Sequence, residues 1–420
     1  MVNAGDTAWM LVATALVLFM TPGLALFYGG MVRGRNVLGM LMQNVFCLAI
    51  VSVLWVVVGF SLAFGHGLGG FVGGFGLSGL RTVAQHGVPG LGALTIPALL
   101  FVAYQMMFAV ITPALITGAT ADRLKFGAWT LFVAVWLVLV YCPVAHWVFS
   151  PSGWLAQRGV LDFAGGTVVH INAGIAALAV VLVIGRRRGW PHEAMHPHSL
   201  PLTVLGTGIL WFGWFGFNAG SALHANGVAA QALINTQLAA AAGMLGWVAV
   251  EAVRDRAATT LGAASGAVAG LVAITPCAGY IDTLGAMVVG LAAGIVCVLA
   301  ISLKYRFRYD DALDVVGVHL VGGILGSLMV GLFASKAVNP AGADGLFYGG
   351  GLHLLGLQAM AVLVTLVFAF AVTYLIAWCI HKVIGLRVDP AAEQEGLDMT
   401  QHRETAYSSG GLGIMERLRP

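Results

Sequence analysis

Two stretches of this sequence place ionisable side chains among apolar ones. The first runs Asp162-Phe-Ala-Gly-Gly-Thr-Val-Val-His170-Ile-Asn172, and the second runs Asp311-Ala-Leu-Asp314-Val-Val-Gly-Val-His319. In each, a histidine follows an aspartate by eight positions. If the aspartate marks the start of a helix, the histidine lies about 12 Å along it, at roughly 1.5 Å per residue. A membrane hydrocarbon core is about 30 Å thick. Helices entering from opposite faces would bring the two imidazoles within about 6 Å along the normal, near the midplane. Facing imidazoles can share a proton or hydrogen-bond a small neutral base. Taken singly, an aspartate at a helix start is ordinarily a cap, and one intramembrane histidine can be a satisfied interhelical hydrogen bonder. The same offset in both halves points to function, because ionisable groups inside a membrane are costly and usually have a task. A haem between the histidines needs far more room than about 6 Å, so no cofactor is expected.

The elements that must hold these residues follow from composition. Apolar residues make up 59% of the 420 and charged residues 9%, against about 25% charged in soluble domains. Such a chain cannot make a wettable surface, and its solvent must be mostly lipid. Its 58 glycines are about twice the usual share and fall mainly inside apolar stretches, as in closely packed membrane helices. Spans of about 20 apolar residues are predicted near 8–28, 37–64, 94–117, 126–149, 165–184, 201–217, 232–253, 259–276, 284–303, 314–333 and 355–384. The fold class is therefore an all-α polytopic membrane protein with eleven transmembrane helices. Five spans separate the two His-bearing helices, so these enter from opposite faces as an inverted five-plus-five pseudo-repeat.

Basic residues set the orientation. Loops after odd spans hold Arg33, Arg35, Arg123, Lys125, Arg186, Arg187, Arg188, Arg254, Arg256, Lys304, Arg306 and Arg308; loops after even spans hold Arg81, Arg158 and Lys336. The tail adds Lys382, Arg387, Arg403, Arg417 and Arg419. The N-terminus is expected outside and the C-terminus inside. Met1 to Asp6 contain no basic residue, which argues for a retained first span. Cys47, Cys142, Cys277, Cys297 and Cys379 lack CxxC spacing and read as small core residues, with neither a metal site nor a disulfide framework. There is no HExxH, P-loop or GxSxG motif. The chain is not expected to be an enzyme or to bind nucleic acid. Residues 1–384 form the membrane domain and 385–420 a cytoplasmic tail too short for a catalytic domain.

The sequence resembles the ammonium transporter (Amt) branch of the Amt/Rh family. The resemblance rests on Pro22-Gly-Leu-Ala-Leu-Phe-Tyr-Gly-Gly30, Asp162 through Ala173, Trp214-Phe-Gly-Phe-Asn-Ala-Gly-Ser221, Thr275-Pro276, Gly279-Tyr280, Asp310 through His319, and Gly396-Leu-Asp398 with His402, Glu404 and Tyr407. It implies a homotrimer in the cell (inner or plasma) membrane, with one pore per subunit. Residue by residue, it implies that Ser221 binds ammonium in an outer vestibule and that Phe108 and Phe217 form an aromatic gate beneath it. Tyr104 stands where a Phe is common. Asp162 matches the acid that structures the recruitment site. His170 and His319 match the pore histidines, with Trp214 beside the pathway. The vestibule aromatic, usually a Trp three residues after a His, is here Phe149 after His146; Trp147 and Trp154 are the nearby indoles that could substitute.

The chemistry agrees with that resemblance. Ammonium resembles potassium in size, and a hydroxyl with aromatic faces can hold it, cation–π attraction being worth about 0.5–1 kcal/mol exposed and 2 or more when desolvated. An apolar pore disfavours the intact cation, and desolvation can depress an amine pKa by about 3–5. Ammonium can surrender its proton and potassium cannot. Phe108 and Phe217 taken without the resemblance would read as ordinary packing. The tail motif implies a docked segment that helps a trimeric PII-type signalling protein block the pore near Asp314; composition alone would give a solvated terminus. An ammonium sensor and an Rh-like neutral gas channel are the competing readings.

Overall fold

In lipid, backbone N–H and C=O groups must be satisfied within the chain, so uncharged apolar runs become helices. The computed structural model describes residues 1–92 and 94–407. Among the described residues, ten helices are long and apolar enough to cross a membrane: α1 (Ala4–Met31), α2 (Gly34–Phe64), α3 (Ala98–Thr120), α4 (Phe126–Phe149), α5 (Gly166–Ile184), α6 (Leu200–Gly220), α7 (Gly227–Arg254), α9 (Thr283–Phe307), α10 (Val316–Phe333) and α11 (His353–Val383). Between α7 and α9 lies the shorter apolar α8 (Thr260–Ile274). Its 15 residues rise about 22 Å. All eleven expected spans coincide with one of these helices, and the chain is a multi-pass membrane protein.

Helix ends fall where side chains can cap them. Asn3, Ser199, Asn226, Thr259 and Asp282 each accept a hydrogen bond from the backbone N–H three residues on. The exposed faces are apolar rather than charged, with Val53, Leu284 and Leu363 pointing outward, as a lipid-facing surface requires. Inside, α1 lies along α6 at backbone contact. A Cβ on Gly206 would collide with the Phe27 backbone, which is the use of glycine expected in a close helix pair. A small antiparallel ribbon, Gly67–Leu68 with Val72–Gly73, lies in the α2–α3 connection.

The face that carries most of the basic loops is closed by a buried ionic knot. Arg187 grips Asp310 through Nε and Nη2 (2.9 and 2.8 Å), and Arg123 donates to the Asp310 carbonyl at 2.6 Å. Asp122 joins through Arg33 at 3.0 Å and through Asn36. Burial acts to raise the Asp310 carboxyl, but the Arg187 hydrogen bonds and the Arg123 charge outweigh it and hold the group below the usual carboxylate range.

The chain after α11 returns along this face. Leu124 bridges Arg387, and helix α12 (Pro390–Glu395) follows, with Glu393 on Arg387 at 2.6 Å. Asp398 Oδ1 accepts from Gly39 N at 2.8 Å, and Leu397 N donates to Asn36 Oδ1 at 2.8 Å. His402 packs edge-on to Phe126, ring centroids 5.1 Å apart. Tyr407 Oη lies 2.8 Å from His198 Nε2. Residues 385–407 are thus tied to α2, α4 and the α5–α6 connection. The rest of the expected tail, with Arg417 and Arg419, lies outside the described residues.

Candidate functional site

The two histidines sit on matching local structures. Asp162 lies just ahead of α5, and its carboxylate accepts four backbone N–H groups: Gly165 (2.9 Å), Gly166 (2.6 Å), Thr167 (2.8 Å) and Val168 (3.3 Å). Gly165 is left-handed (φ +107°), the conformation that lets the chain double back under that carboxylate. The helix then opens with a π-turn, Gly166–Ile171, which carries His170. On α10, Asp311 accepts from Val315 (3.1 Å) and Val316 (2.7 Å), and the π-turn Val316–Leu320 carries His319. Both aspartates cap, as single residues of that kind usually do. Wide turns of this type are uncommon and concentrate at functional sites.

The half-helices cross reciprocally. Gly174 follows His170 by four residues, and a Cβ there would stand 2.5 Å from Leu320 N. Gly323 follows His319 by four, and a Cβ there would stand 3.1 Å from Ile171 N. Equivalent residues of the two stretches therefore meet one another, which is the geometry of an inverted pair. The imidazoles come together with Nδ1 atoms 3.2 Å apart, centroids 5.3 Å apart and planes 20° apart. The expected spacing of about 6 Å was helix rise along the normal; the side chains reach toward each other across that gap until the Nδ1 atoms are in hydrogen-bond range. With both rings neutral, a hydrogen bond at that distance requires one Nδ1–H to donate to the other Nδ1, and hence opposite tautomers. His170 Nε2 is buried with no hydrogen-bond partner among the described residues. Trp214 lies nearly parallel to His170 at 5.5 Å, and its Nε1 donates to Thr275 Oγ1 at 2.9 Å.

Beside the pair is a cavity of about 10 Å³, lined by Met20, Leu24, Phe27, Ile111, Leu115, Val169, Leu210, Trp214, Phe217 and Val268 as well as both histidines. That is room for about one water-sized molecule. Above it, Phe108 and Phe217 stack 4.2 Å apart at 31° and are buried, 1% and 0% exposed. Nothing as large as a hydrated ion passes such a pair without its moving aside.

Over the Phe pair lies a small polar cup. Ser221 Oγ donates to the Phe217 carbonyl at 2.8 Å and stands 3.2 Å from Tyr104 Oη. With its proton committed, the Ser221 oxygen offers lone pairs to a donor. Tyr104 Oη reaches the Gly216 and Phe217 carbonyls at 2.9 and 2.8 Å. The departure at position 104 thus adds a hydroxyl that fastens the end of α6 to α3, a contact that sequence alone does not disclose. Phe149 sits edge-on to Phe108 at 6.5 Å and 87°. Neither indole takes its place: Trp147 donates to the Phe71 carbonyl at 2.7 Å and packs on Phe368, and Trp154 packs on Phe71 beneath Arg158. His146 is fully buried with Nδ1 2.9 Å from the Ala63 carbonyl, a packing role.

At the opposite end, Asp314 (φ +62°) pairs with Lys304 Nζ at 2.6 Å. A basic group arriving there would have to displace that lysine. Burial first, and the Asp314 charge second, push the Asp311 carboxyl above the usual carboxylate range. Among the described residues no group of three or more His, Cys, Asp or Glu is arranged to hold a metal.

The sequence profile of the Ammonium Transporter Family matches residues 8–407. The chain belongs to the ammonium transporter family. An ammonium transporter of Mycobacterium tuberculosis is 51% identical to it over 96% of this chain and 90% of the relative. One from Bacillus subtilis is 50% identical over 96% and 98%. Among solved structures, Mep2 of Saccharomyces cerevisiae superimposes with a TM-score of 0.86 at 35% identity, covering 93% of this chain and 88% of that one. A chain named "Sensor Amt Protein" reaches the same TM-score at 30% identity, covering 95% and 98%. The ammonium transporter fold is thus common to proteins named transporters and to one named a sensor, while the relatives near 50% identity are named transporters.

Proposed function

We propose that this chain takes ammonium from the outer vestibule, removes its proton, and passes ammonia through the His170–His319 lumen while the proton follows separately. The observation that carries the proposal is the sequence of environments along one path: a Ser221 acceptor beside Tyr104, then a closed Phe108–Phe217 pair with Phe149 edge-on to Phe108, then a cavity of about 10 Å³ whose polar lining is imidazole and indole. The cup suits a cation with N–H donors. The lumen suits a neutral molecule no larger than water. Asp162 shapes the recruitment site through the turn it caps. The N-terminus lies outside and the tail inside, on the basic-loop asymmetry. Three copies assemble in the cell membrane, each with its own pore, and a PII-type protein docks at the tail face near Asp314.

Purified protein in liposomes on a supported membrane tests the central step. An ammonium jump should give current, and an equal potassium jump essentially none; comparable potassium current removes the deprotonation argument. The structural match to the sensor supports a second reading, in which ammonium binds and the tail face moves without turnover. Ligand-dependent change in the tail with no current would favour it.

A further inference from the structure

The outer cup depends on where Ser221 stands, and Ser221 ends a helix. After it the chain turns sharply to Asn226, which caps α7. Leu223 in that turn is left-handed (φ +58°), a strained state for a branched side chain that persists only where surroundings enforce it. The enforcing contact lies two residues on. The carboxylate of Asp6, in the first turn of α1, accepts Ala225 N–H at 2.8 Å. Its other oxygen accepts the Thr95 hydroxyl at 2.5 Å and His224 Nδ1–H at 3.0 Å. His224 Nδ1 is also 3.0 Å from Thr95 Oγ1. Thr95 donates its only proton to Asp6, so it accepts from His224, and the His224 hydrogen must sit on Nδ1. The backbone is fastened too, with Asn3 N donating to the Thr95 carbonyl at 2.7 Å.

The segments joined are the ones that carry the cup. Thr95 stands three residues before α3, the helix of Tyr104 and Phe108, and His224 three residues after Ser221. The geometry points to Asp6, Thr95 and His224 as positioning residues that hold the Ser221 hydroxyl at its place against Tyr104 and Phe108. They act on recruitment through Ser221 and touch neither the Phe pair nor the histidines. The inference rests on the proposed ammonium-binding role of Ser221. A loop fastener with no functional consequence would cost stability when cut and leave the apparent affinity alone.

The test is the ammonium concentration that gives half-maximal current, in proteoliposomes on a supported membrane. Thr95→Val, Asp6→Ala and His224→Ala are each made alone and with Ser221→Ala. Each single variant should raise the half-saturating concentration about three- to tenfold, with maximal current kept within about twofold of the parent. His224→Asn should restore most of it, because its amide nitrogen can take the place of Nδ1 as donor. In the Ser221→Ala background each clasp substitution should change half-saturation by less than about twofold, since its target is already gone. Full multiplicative effects in that background would overturn the clasp's role while leaving Ser221 as a binding residue. No effect of Ser221→Ala by itself would overturn the Ser221 reading, and the clasp with it. A lowered melting temperature at unchanged half-saturation would reduce the clasp to a loop fastener. If Asp6→Ala does not fold, His224→Ala decides, because that side chain is 44% exposed and its loss opens no core.

Discussion

Replacing Asp162 by alanine removes the acceptor for four backbone N–H groups at once. A hydrogen bond to a charged group is worth about 1.5–3 kcal/mol, which would put the formal sum near 6–12 kcal/mol. Measured losses of a single helix cap reach only about 2 kcal/mol, because water replaces much of what is lost. Asp162 is 9% exposed, so water replaces less here, and about 3 kcal/mol of local destabilisation is a reasonable working value. It falls on the π-turn that holds His170, three residues after Thr167, the last N–H the carboxylate accepts at short distance. If that energy is lost from the conducting geometry, flux drops about a hundredfold. Ser221→Ala removes one neutral hydrogen bond, about 0.5–1.5 kcal/mol, so its loss should stop near tenfold. Initial current after an ammonium jump, normalised to reconstituted protein, measures both. Circular dichroism and a monodisperse elution profile establish that the helices remain. A dead Ser221→Ala beside an active Asp162→Ala would refute this division of roles.

Three further outcomes are expected. His170→Ala or His319→Ala should abolish ammonia-selective conduction or open a leak to intact cations, read as potassium current; unchanged selectivity in both would leave the pair a structural hydrogen bond, while His170→Glu should retain passage with poorer selectivity. Asp310→Asn removes the carboxylate charge that Arg187 grips and that lies 3.9 Å from Arg123 inside the ionic knot, while the Arg123 bond to the backbone carbonyl stays; it should cost about 3–5 kcal/mol, seen as a lower melting temperature. Because the folded Asp310 carboxyl is held below its ordinary value, the stability it supplies is present above about pH 4 and is lost as pH falls through the depressed folded value; the melting gap between parent and variant should be constant from neutral pH to pH 5 and close only in stronger acid. Deleting residues 396–420 removes the Asp398 and Leu397 contacts to α2 and should lower transport or abolish PII-dependent block with the eleven helices intact, as tested by mixing the detergent-solubilised protein with the cognate PII protein with and without ADP or 2-oxoglutarate; a truncated channel that conducts and is regulated like the full chain would make the tail inert.

The eleven helices were legible from apolar run length alone, down to the short α8, because lipid leaves the backbone no alternative to helix. The paired Asp162–His170 and Asp311–His319 offsets were legible as well, since an inverted repeat leaves its spacing in the chain. The sequence did not disclose how the paired residues meet. Regular helix geometry placed the histidines about 6 Å apart along the normal, but only the close crossings at Gly174–Leu320 and Gly323–Ile171 show the two rings meeting, with Nδ1 atoms 3.2 Å apart. Phe149 was ambiguous against Trp147 and Trp154, because neighbours in sequence can point to different sides of a loop, and only packing on Phe71 and Phe368 draws the indoles away. The Tyr104 hydroxyl, the Lys304–Asp314 pair and the Asp6–Thr95–His224 clasp had no local signature at all. Side-chain contacts between segments many residues apart are fixed by how helices pack, whereas the existence of a helix in a membrane is fixed by its own run of residues.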